Sequence, residues 1–424
     1  MTSENGYKDA FVWIWLPGET EPVVAGVLTQ VGQKLHFNYG RSYLDRENAI
    51  AIYKPELPFQ RGDIPPLSNL SMPSCIRDAS PDAWGRRVLI NRKFGLKGDD
   101  AAGQELSELA YLLESGSDRT GALDFQSSPT QYVPRSMDYA SLDELMQAAE
   151  LVDKGLPLPQ ELDKALQHGT SLGGARPKAL LESDDKKFIA KFLKSTDLYN
   201  VVKAEFIAMR LAKLVGITAA DVTLTKALGK DVLLIERFDR EKAKRGWLRK
   251  PIVSALTLFG LDEMMAAYAS YQELADIVRH RFTNPTETLR ELFQRIVFNI
   301  LCGNTDDHAR NHAAFWDGDR LALTPAYDVC PQARTGNEAS QAMLIYGNNR
   351  MSQLSVCLKT APHFLLDVAA ATSIMKHQVQ IIRANWTSVC DEAELPKADR
   401  QFLWQRQFLN PFAFYGAPAE ISAA

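Results

Sequence analysis

The chain has 424 residues, enough for two or three domains, and its 46% hydrophobic and 24% charged residues are ordinary for a globular protein. A net charge of −4 gives no global attraction to nucleic acid, and no stretch approaches the roughly 20 apolar residues that span a membrane. Five cysteines, widely spaced and without a C-x-x-C pair, argue against a disulfide framework or a zinc ribbon; together with a start that lacks a secretory signal pattern, they predict a cytoplasmic protein.

Short β-type runs come first: Phe11 to Leu16, Val23 to Leu28 and Lys34 to Tyr39, separated by Gly, Pro and polar residues. Ser80-Pro81-Asp82 reads as a helix start, with Ser as cap and Pro in the first turn; the helix runs through Trp84, Val88 and Leu89 towards Gly95. A second helix is expected from Glu105 to Ser115, stopped by Gly116. The link Gln126-Ser127-Ser128-Pro129-Thr130-Gln131 marks a boundary, after which the capping box Ser141-Leu142-Asp143-Glu144 opens a helix through Leu145, Met146 and Val152. From Ala179 to Phe238 the expected order is strand, strand, helix, strand, strand. Beyond Pro251 the apolar spacing is mostly helical.

The middle of the chain carries candidate chemistry. The run from His168 to Lys178 includes Thr170, Ser171, Gly173, Gly174, Ala175, Arg176 and Pro177 and precedes the strand Ala179-Leu180-Leu181. Its small residues let backbone N–H groups approach a phosphate, and its hydroxyls add donors; a flexible turn is the alternative reading. In the strand that follows, alternation sets Ile189, Lys191 and Leu193 on one face. Lys191 therefore needs an anionic partner, unless it snorkels at the strand end. Glu205 lies beside the apolar stripe Val202, Phe206 and Met209 of the next helix and is the candidate partner, an exposed helical Glu being the alternative. The strand Val232 to Ile235 then runs into Glu236-Arg237-Phe238-Asp239, a charged turn or a kinase hinge.

Downstream, Asp306 and Asn311 stand in the D-x-x-x-x-N spacing with which protein kinases pair a proton-accepting Asp and a magnesium-holding Asn. Asp328 follows the β-like run Leu321 to Tyr327, where a kinase presents its second metal-binding Asp. The spacing alone is common in any chain. Its weight comes from the order of features upstream.

Taken together, these segments resemble a HipA-type serine/threonine kinase, the toxin half of a bacterial toxin–antitoxin pair. The resemblance rests on Ser171 to Ala179, Ile235 to Arg240, Thr305-Asp306-Asp307-His308-Ala309-Arg310-Asn311 and Thr324 to Asp328, and on Ser80 to Arg86 and Asp118 to Leu123 nearer the start. It implies an α+β, two-lobed protein-kinase-like fold, with an N-terminal subdomain over 1–125, a kinase N-lobe over 140–238 and a helical C-lobe over 239–424. It further implies Asp306 as catalytic base, Asn311 and Asp328 as Mg2+ ligands, and Lys191 on the ATP phosphates. Gly173 to Lys178 would cover those phosphates, and Glu236 to Phe238 would line the adenine site, with His308 and Tyr327 nearby. Ser171 matches the loop serine that family members autophosphorylate, an event that ejects the loop and disables ATP binding. The expected partners are a HipB-like helix-turn-helix antitoxin, operator DNA through that complex, and an aminoacyl-tRNA synthetase, often the glutamyl enzyme, as substrate. The sequence departs from the family in Asp307, a second acid that leaves the base assignment open, and in Arg310, where lysine is frequent. Thr170 beside Ser171 leaves two acceptor hydroxyls.

Two other classes fit parts of the chain. A metal-dependent hydrolase could use Asp306, Asp307, His308 and His312, the two histidines standing four apart as helical zinc ligands do, but it leaves the Gly-rich segment and Lys191 without a role. A mainly regulatory subunit of a DNA complex could use the basic run Arg240 to Lys250, which otherwise reads as a solvated hairpin tip.

Overall fold

The structure is a computed structural model that describes residues 6–94, 105–135, 140–159, 162, 171 and 174–424. Its contacts divide the chain into one unit of 1–196, 225–253 and 315–319 and another of 197–224, 254–314 and 320–424.

In the first unit the early β-type runs form a four-stranded sheet. Strands β1 (Asp9–Ile14), β2 (Val23–Val31), β3 (Lys34–Tyr39) and β4 (Leu123–Gln126) lie in the order β3-β2-β1-β4, with β1 antiparallel to both neighbours. A register shift between Val12 and Trp13 breaks the alternation, and Val12, Trp13 and Ile14 are all buried. Helix α1 (Ala83–Phe94) begins later than the Ser80 cap predicts. The Ser80 N–H donates to Arg77 O and closes the preceding turn, so the first helical bond runs from Arg86 N to Asp82 O at 2.8 Å. Helix α2 (Glu108–Glu114) is also shorter than expected, because Ser107 caps it by accepting from Ala110 N. Helix α3 (Leu142–Asp153) opens on the expected capping box, with both reciprocal bonds of Ser141 and Glu144 formed.

Strands β5 (Lys178–Glu182), β6 (Lys187–Phe192), β7 (Val222–Ala227) and β8 (Lys230–Glu236) form a second sheet in the order β5-β6-β8-β7. Trp84 and Val88 of α1 and Leu145, Met146 and Val152 of α3 pack with Ala190, Phe192 and Val232 of this sheet in one apolar cluster. Each large side chain there contributes about 1.5–3 kcal/mol of burial. The other face of β6 carries Lys191, itself 5% exposed.

Side-chain charges join the segments of this unit that lack ladder pairing. Arg237 donates from Nε to Asp239 Oδ1 at 2.9 Å, from Nη1 to Asp118 Oδ1 at 3.0 Å and from Nη2 to Arg119 O at 2.7 Å. Arg240 donates from Nη1 to Asp239 Oδ2 at 2.8 Å and from Nε to Asp118 Oδ1 at 3.1 Å, while Asp239 accepts from Gly121 N at 2.8 Å. Burial alone would push both carboxyls up. Arg237 and Arg240 outweigh it, holding Asp118 well below the usual range and Asp239 at about 2.

The second unit is mostly helical, as the spacing beyond Pro251 predicts. Its main helices are α4 (Val201–Leu214), α5 (Tyr271–Arg281), α6 (Pro285–Cys302) and α7 (Val368–Glu392). Helix α4 lies within the stretch expected as one lobe, 140–238, yet groups with this unit. Helix α6 has Pro at its start and ends at Gly303, which takes a left-handed φ of 73°. A Cβ there would lie 2.7 Å from Gln407 O, so the loop after α6 needs glycine at this point. Leu289, Leu292, Phe293, Ile296 and Ile300 make the buried stripe of α6. Among the described residues no helix is long and apolar enough to cross a membrane.

The ion network predicts a specific instability. Asp239→Ala leaves two buried guanidinium groups short of an anion and is expected to cost about 3–5 kcal/mol in urea unfolding. Because the folded-state pKa of Asp239 is depressed, its contribution is present above pH ~4 and lost as pH falls towards 2. The wild type should therefore lose stability over that window, and Asp239→Ala should show a flatter pH dependence.

Candidate active site

The loop after α6 carries the chemistry of the second unit. Asp306 is exposed, and its backbone carbonyl accepts from His308 N at 2.9 Å and from the Asn311 side-chain Nδ2 at 3.1 Å. The D-x-x-x-x-N spacing is therefore a closed turn, in which Asn311 donates with its nitrogen and keeps its amide oxygen as an acceptor. Burial pushes the Asp306 carboxyl above the ordinary aspartate range; His308 draws it down and Asp328 pushes it up again. The two acids thus feel each other's charge.

Asp328 has a backbone φ of 57°, in the left-handed region. That conformation costs an aspartate on the order of 1 kcal/mol and is held by its neighbours. Upstream, Ala326 exchanges backbone bonds with Thr218 and Ala220, and Thr324 O accepts from Arg295 Nη2 at 2.8 Å. Downstream, Pro331 O accepts from the Tyr199 hydroxyl at 2.7 Å and Gln332 N donates to Gly303 O at 3.0 Å. Tyr327 donates its hydroxyl to Arg310 O at 2.6 Å, which places it against the backbone of the loop after α6. Arg310 in turn pairs with Glu263 at 2.7 Å.

Asp307, left open as an alternative base, is not available for that role. It is 2% exposed, its carboxylate accepts from Asn299 Nδ2 at 2.7 Å and from the Tyr271 hydroxyl, and it lies 3.0 Å from His312 Nε2. The hydrolase reading fails on the same ground. His308 and His312 flank a 3-10 turn (Ala309–Asn311) instead of sharing a helix face, and His312 is buried against Asp307. Among the described residues no group of three or more His, Cys, Asp and Glu could hold a metal.

In the first unit, Gly173 and Thr170 lie outside the described residues. Gly174 has a φ of 99°, and a side chain there would run into Lys178 Nζ, so this turn sits directly on the lysine. Its N–H donates to the Asp82 carboxylate, its carbonyl accepts from Trp84 N at 3.1 Å, and Trp84 Nε1 donates to Lys178 O at 3.0 Å. Ala175 is exposed and Arg176 half-buried, while Pro177 O accepts from Phe192 N at 3.1 Å. Lys178 and Lys191 face each other across β5 and β6, and each is 5% exposed. Two ammonium groups in opposite register positions repel, which favours a shared polyanion at this edge. Glu205, on α4 of the second unit, is 2% exposed and so is not the solvated helical Glu of the alternative reading.

Ser171 is 2% exposed, and its hydroxyl donates to Asp118 O at 3.2 Å. At the end of β8, Glu236 pairs with Lys186 at 2.7 Å, and Phe238 packs edge-on against Phe315. The Arg237 side chain is committed to Asp118 and Asp239, so only its backbone is left to meet an adenine. The basic run is also partly spent internally. Arg240 is buried in the network, the Lys242 ammonium lies 4.7 Å from the Trp247 ring centre, and the Arg249 guanidinium lies 3.5 Å from that of Trp15. Lys244 and Arg245 remain exposed at the hairpin tip.

The sequence assigns no site role to Asp82, Trp84 and Asp118, which hold the Gly-rich segment, or to Tyr271 and Asn299 around Asp307, and it offers His312 only as a metal ligand. One signal was present. Asp307 and His312 repeat the Asp306-to-Asn311 spacing, one residue on.

A profile described as HipA-like C-terminal domain matches residues 170–386, and one described as HipA N-terminal domain matches 15–126. The serine/threonine-protein kinase toxin HipA of Shewanella oneidensis is 28% identical over 186 residues, 38% of this chain and 42% of that protein. The chain thus matches less than half of that relative's length. A Sinorhizobium fredii protein, named provisionally as a kinase, is 23% identical over 357 residues, 74% of this chain and 76% of its own. Among solved structures, the HipA, HipB and operator DNA complex of Shewanella oneidensis aligns with a TM-score of 0.67 at 18% identity, covering 97% of this chain and 99% of that one. The fold is therefore the α+β, kinase-like one expected from the sequence. With the C-terminal profile spanning just over half of the sequence and the N-terminal profile most of what precedes it, the chain belongs to the HipA family.

Proposed function

We propose that the chain is a Mg-ATP-dependent serine/threonine protein kinase and the toxin of a toxin–antitoxin pair. The observation that carries this reading is the loop of the second unit: an outward Asp306, an Asn311 amide locked to the Asp306 carbonyl, and an Asp328 whose charge reaches Asp306.

The donor set fits the cation. Magnesium takes hard oxygen ligands, usually one or two carboxylates completed by substrate phosphates, and the Asn311 amide oxygen with the Asp328 carboxylate would supply the protein's share. The repulsion between Asp306 and Asp328 is also relieved by a dication. When bound, Mg2+ would neutralise charge on the phosphate oxygens. In the first unit, Lys191 and Lys178 would hold the nucleotide's phosphates under the Gly174 turn, with Glu205 as the expected ion-pair partner of Lys191. Backbone groups of Glu236 to Phe238 would meet the adenine, with His308 and Tyr327 nearby. Asp306 would accept the proton of the attacking serine or threonine hydroxyl as its oxygen bonds the γ-phosphorus and the bond from that phosphorus to ADP breaks, releasing ADP, and would then give that proton to solvent. Asn311 and Asp328 hold their positions throughout, so catalysis is by placement and charge neutralisation.

The protein substrate is proposed to be an aminoacyl-tRNA synthetase, the glutamyl enzyme first, so that transfer inhibits translation and induces dormancy. A HipB-like antitoxin and operator DNA are the proposed partners in co-repression, and the cytoplasm the proposed location. The solved Shewanella complex, which contains HipA, HipB and operator DNA, supports the partner assignment.

Asp306→Asn is expected to lower phosphoryl transfer by about 10²–10⁴-fold while nucleotide affinity stays within a few-fold. Labelled Mg-ATP with a cell extract, followed by identification of the labelled protein, measures the first and names the substrate; calorimetry measures the second. Transfer near the wild-type rate would remove Asp306 from the role of base.

Self-inactivation at Ser171 is the second expectation. A phosphate on this hydroxyl cannot stay at 2% exposure against a carbonyl, so modification must release the segment from Asp118 O. After incubation with Mg-ATP, mass spectrometry should find phosphate on Ser171, and nucleotide affinity should fall in proportion. An active enzyme with Ser171 unmodified counts against it, as does phosphate on Thr170 alone.

A further inference from the structure

Asp307 and His312 each stand one residue beyond a group of the proposed active site, Asp307 after Asp306 and His312 after Asn311. Their side chains meet: His312 Nε2 lies 3.0 Å from Asp307 Oδ1 with both residues at least 97% buried by side-chain exposure of 3%. The Tyr271 hydroxyl lies 3.3 Å from the same imidazole nitrogen. Asp307 Oδ2 takes its hydrogens from the Tyr271 hydroxyl at the start of α5 and from Asn299 Nδ2 in α6. Asn299 is held in turn, accepting from Asn304 Nδ2 at 3.0 Å. One carboxylate therefore gathers two helices and the far end of the loop.

Between these points Arg310 O accepts from the Tyr327 hydroxyl at 2.6 Å and the Arg310 side chain pairs with Glu263 at 2.7 Å, and neither partner belongs to α5 or α6. His308 N reaches Asp306 O, Asn311 N reaches His308 O at 2.8 Å, and Asn311 Nδ2 returns to Asp306 O. All three are internal to the loop and fix its shape, but none fixes its seat on the helices. Beyond the loop, His312 O accepts from Ala255 N at 2.7 Å and Ala313 O from Thr324 N at 3.1 Å. The Asp307–His312 contact is thus a cross-link that closes the six-residue segment onto α5 and α6.

We infer that Asp307 and His312 form a clamp that sets the separation between the Asp306 carboxylate and the Asn311 amide. Both are positioning residues, and the inference rests on the kinase reading above. A buried Asp–His pair that only stabilised the fold would lower the melting temperature without altering the loop. A clamp does more, because a displacement of about 1 Å at reacting groups costs on the order of 100-fold in rate.

The test compares full-length wild type with His312→Leu and His312→Gln. Leucine fills the space without a donor, whereas the glutamine side-chain nitrogen sits at about the same reach as the imidazole Nε2. In His312→Leu, without nucleotide, the amides of 305–312 should exchange hydrogen about tenfold faster. The kcat of transfer should fall about 10–100-fold with the KM for ATP little changed, and the Mg2+ concentration for half-maximal rate should rise several-fold. His312→Gln should recover most of each effect. A His312→Leu protein that melts earlier but keeps wild-type loop exchange and Mg2+ dependence overturns the clamp, and so does His312→Gln as impaired as His312→Leu. If His312→Leu does not fold, Tyr271→Phe decides, since losing one donor to Asp307 should loosen the same amides and unchanged exchange rejects the inference. A wild type that transfers no phosphate defeats the kinase reading, while the exchange comparison still judges the clamp.

Discussion

A carboxyl group taken out of water needs polar partners around it, and this constraint fixes the irregular backbone in both units. In the first unit Asp118 and Asp239 draw in Arg237, Arg240 and the Gly121 N–H. In the second, Asp307 draws in Asn299, Tyr271 and His312. Neither group of segments belongs to a helix or strand ladder along its whole length, so the buried acids do what backbone pairing does elsewhere. Such an arrangement stabilises only as a whole. Each partner removed leaves a charge that cost several kcal/mol to bury and no longer has its compensation.

The same balance explains how Asp328 tolerates a left-handed backbone. The strain is on the order of 1 kcal/mol, and a single buried hydrogen bond contributes a net amount of about the same size. Bonds at Thr324, Ala326, Pro331 and Gln332 flank it on both sides. They anchor to Tyr199 ahead of α4, to Arg295 of α6 and Gly303 at its end, and to the Thr218–Ala220 segment. Strain at one residue is thus carried by rigid elements around it, which is the arrangement a charged group of fixed direction requires.

Much of this was legible in the sequence where local rules decide. The capping box at Ser141, the alternation that sets Lys191 opposite Phe192, and the glycine that ends α6 follow from short-range sterics and periodicity. The Asp306-to-Asn311 spacing was legible as well, as a turn closed within six residues by Asn311 itself. Long-range partners were not. Asp82 lies 92 residues from Gly174, and Asp118 lies 119 from Arg237. Nothing in either local pattern says that they meet. The Ser80 cap failed for a related reason: the residue suits a helix start, but its Oγ is buried with no hydrogen-bond partner among the described residues, and the first helical carbonyl is that of Asp82. Nor does the place of Arg237 after a strand show the depth of its burial or that its side chain ends on Asp118 and Asp239.

These long-range partners change what the strand-rich first 125 residues are for. The Gly174 turn has no ladder of its own; its N–H ends on Asp82 and its carbonyl on Trp84, both from the start of α1. Trp84 then reaches past the turn to Lys178 O, and so ties the glycine turn to the lysine beneath it. Ser171 ends on Asp118, whose carboxylate also holds Arg237 and Arg240 beyond β8. Both ends of the proposed nucleotide side of this unit, the Gly-rich segment and the segment after β8, therefore rest on residues contributed by the N-terminal part. A sheet that carried only β5 to β8 and α3 would lose Trp84 and Val88 from its apolar cluster as well as the groups that set these two loops. Where a protein kinase lobe fixes its glycine loop by strand pairing, this chain fixes it by polar contacts to α1 and to the Asp118 segment. Such contacts can be broken singly without dismantling the sheet, which is the physical condition for a segment that is held in place yet releasable by one phosphate.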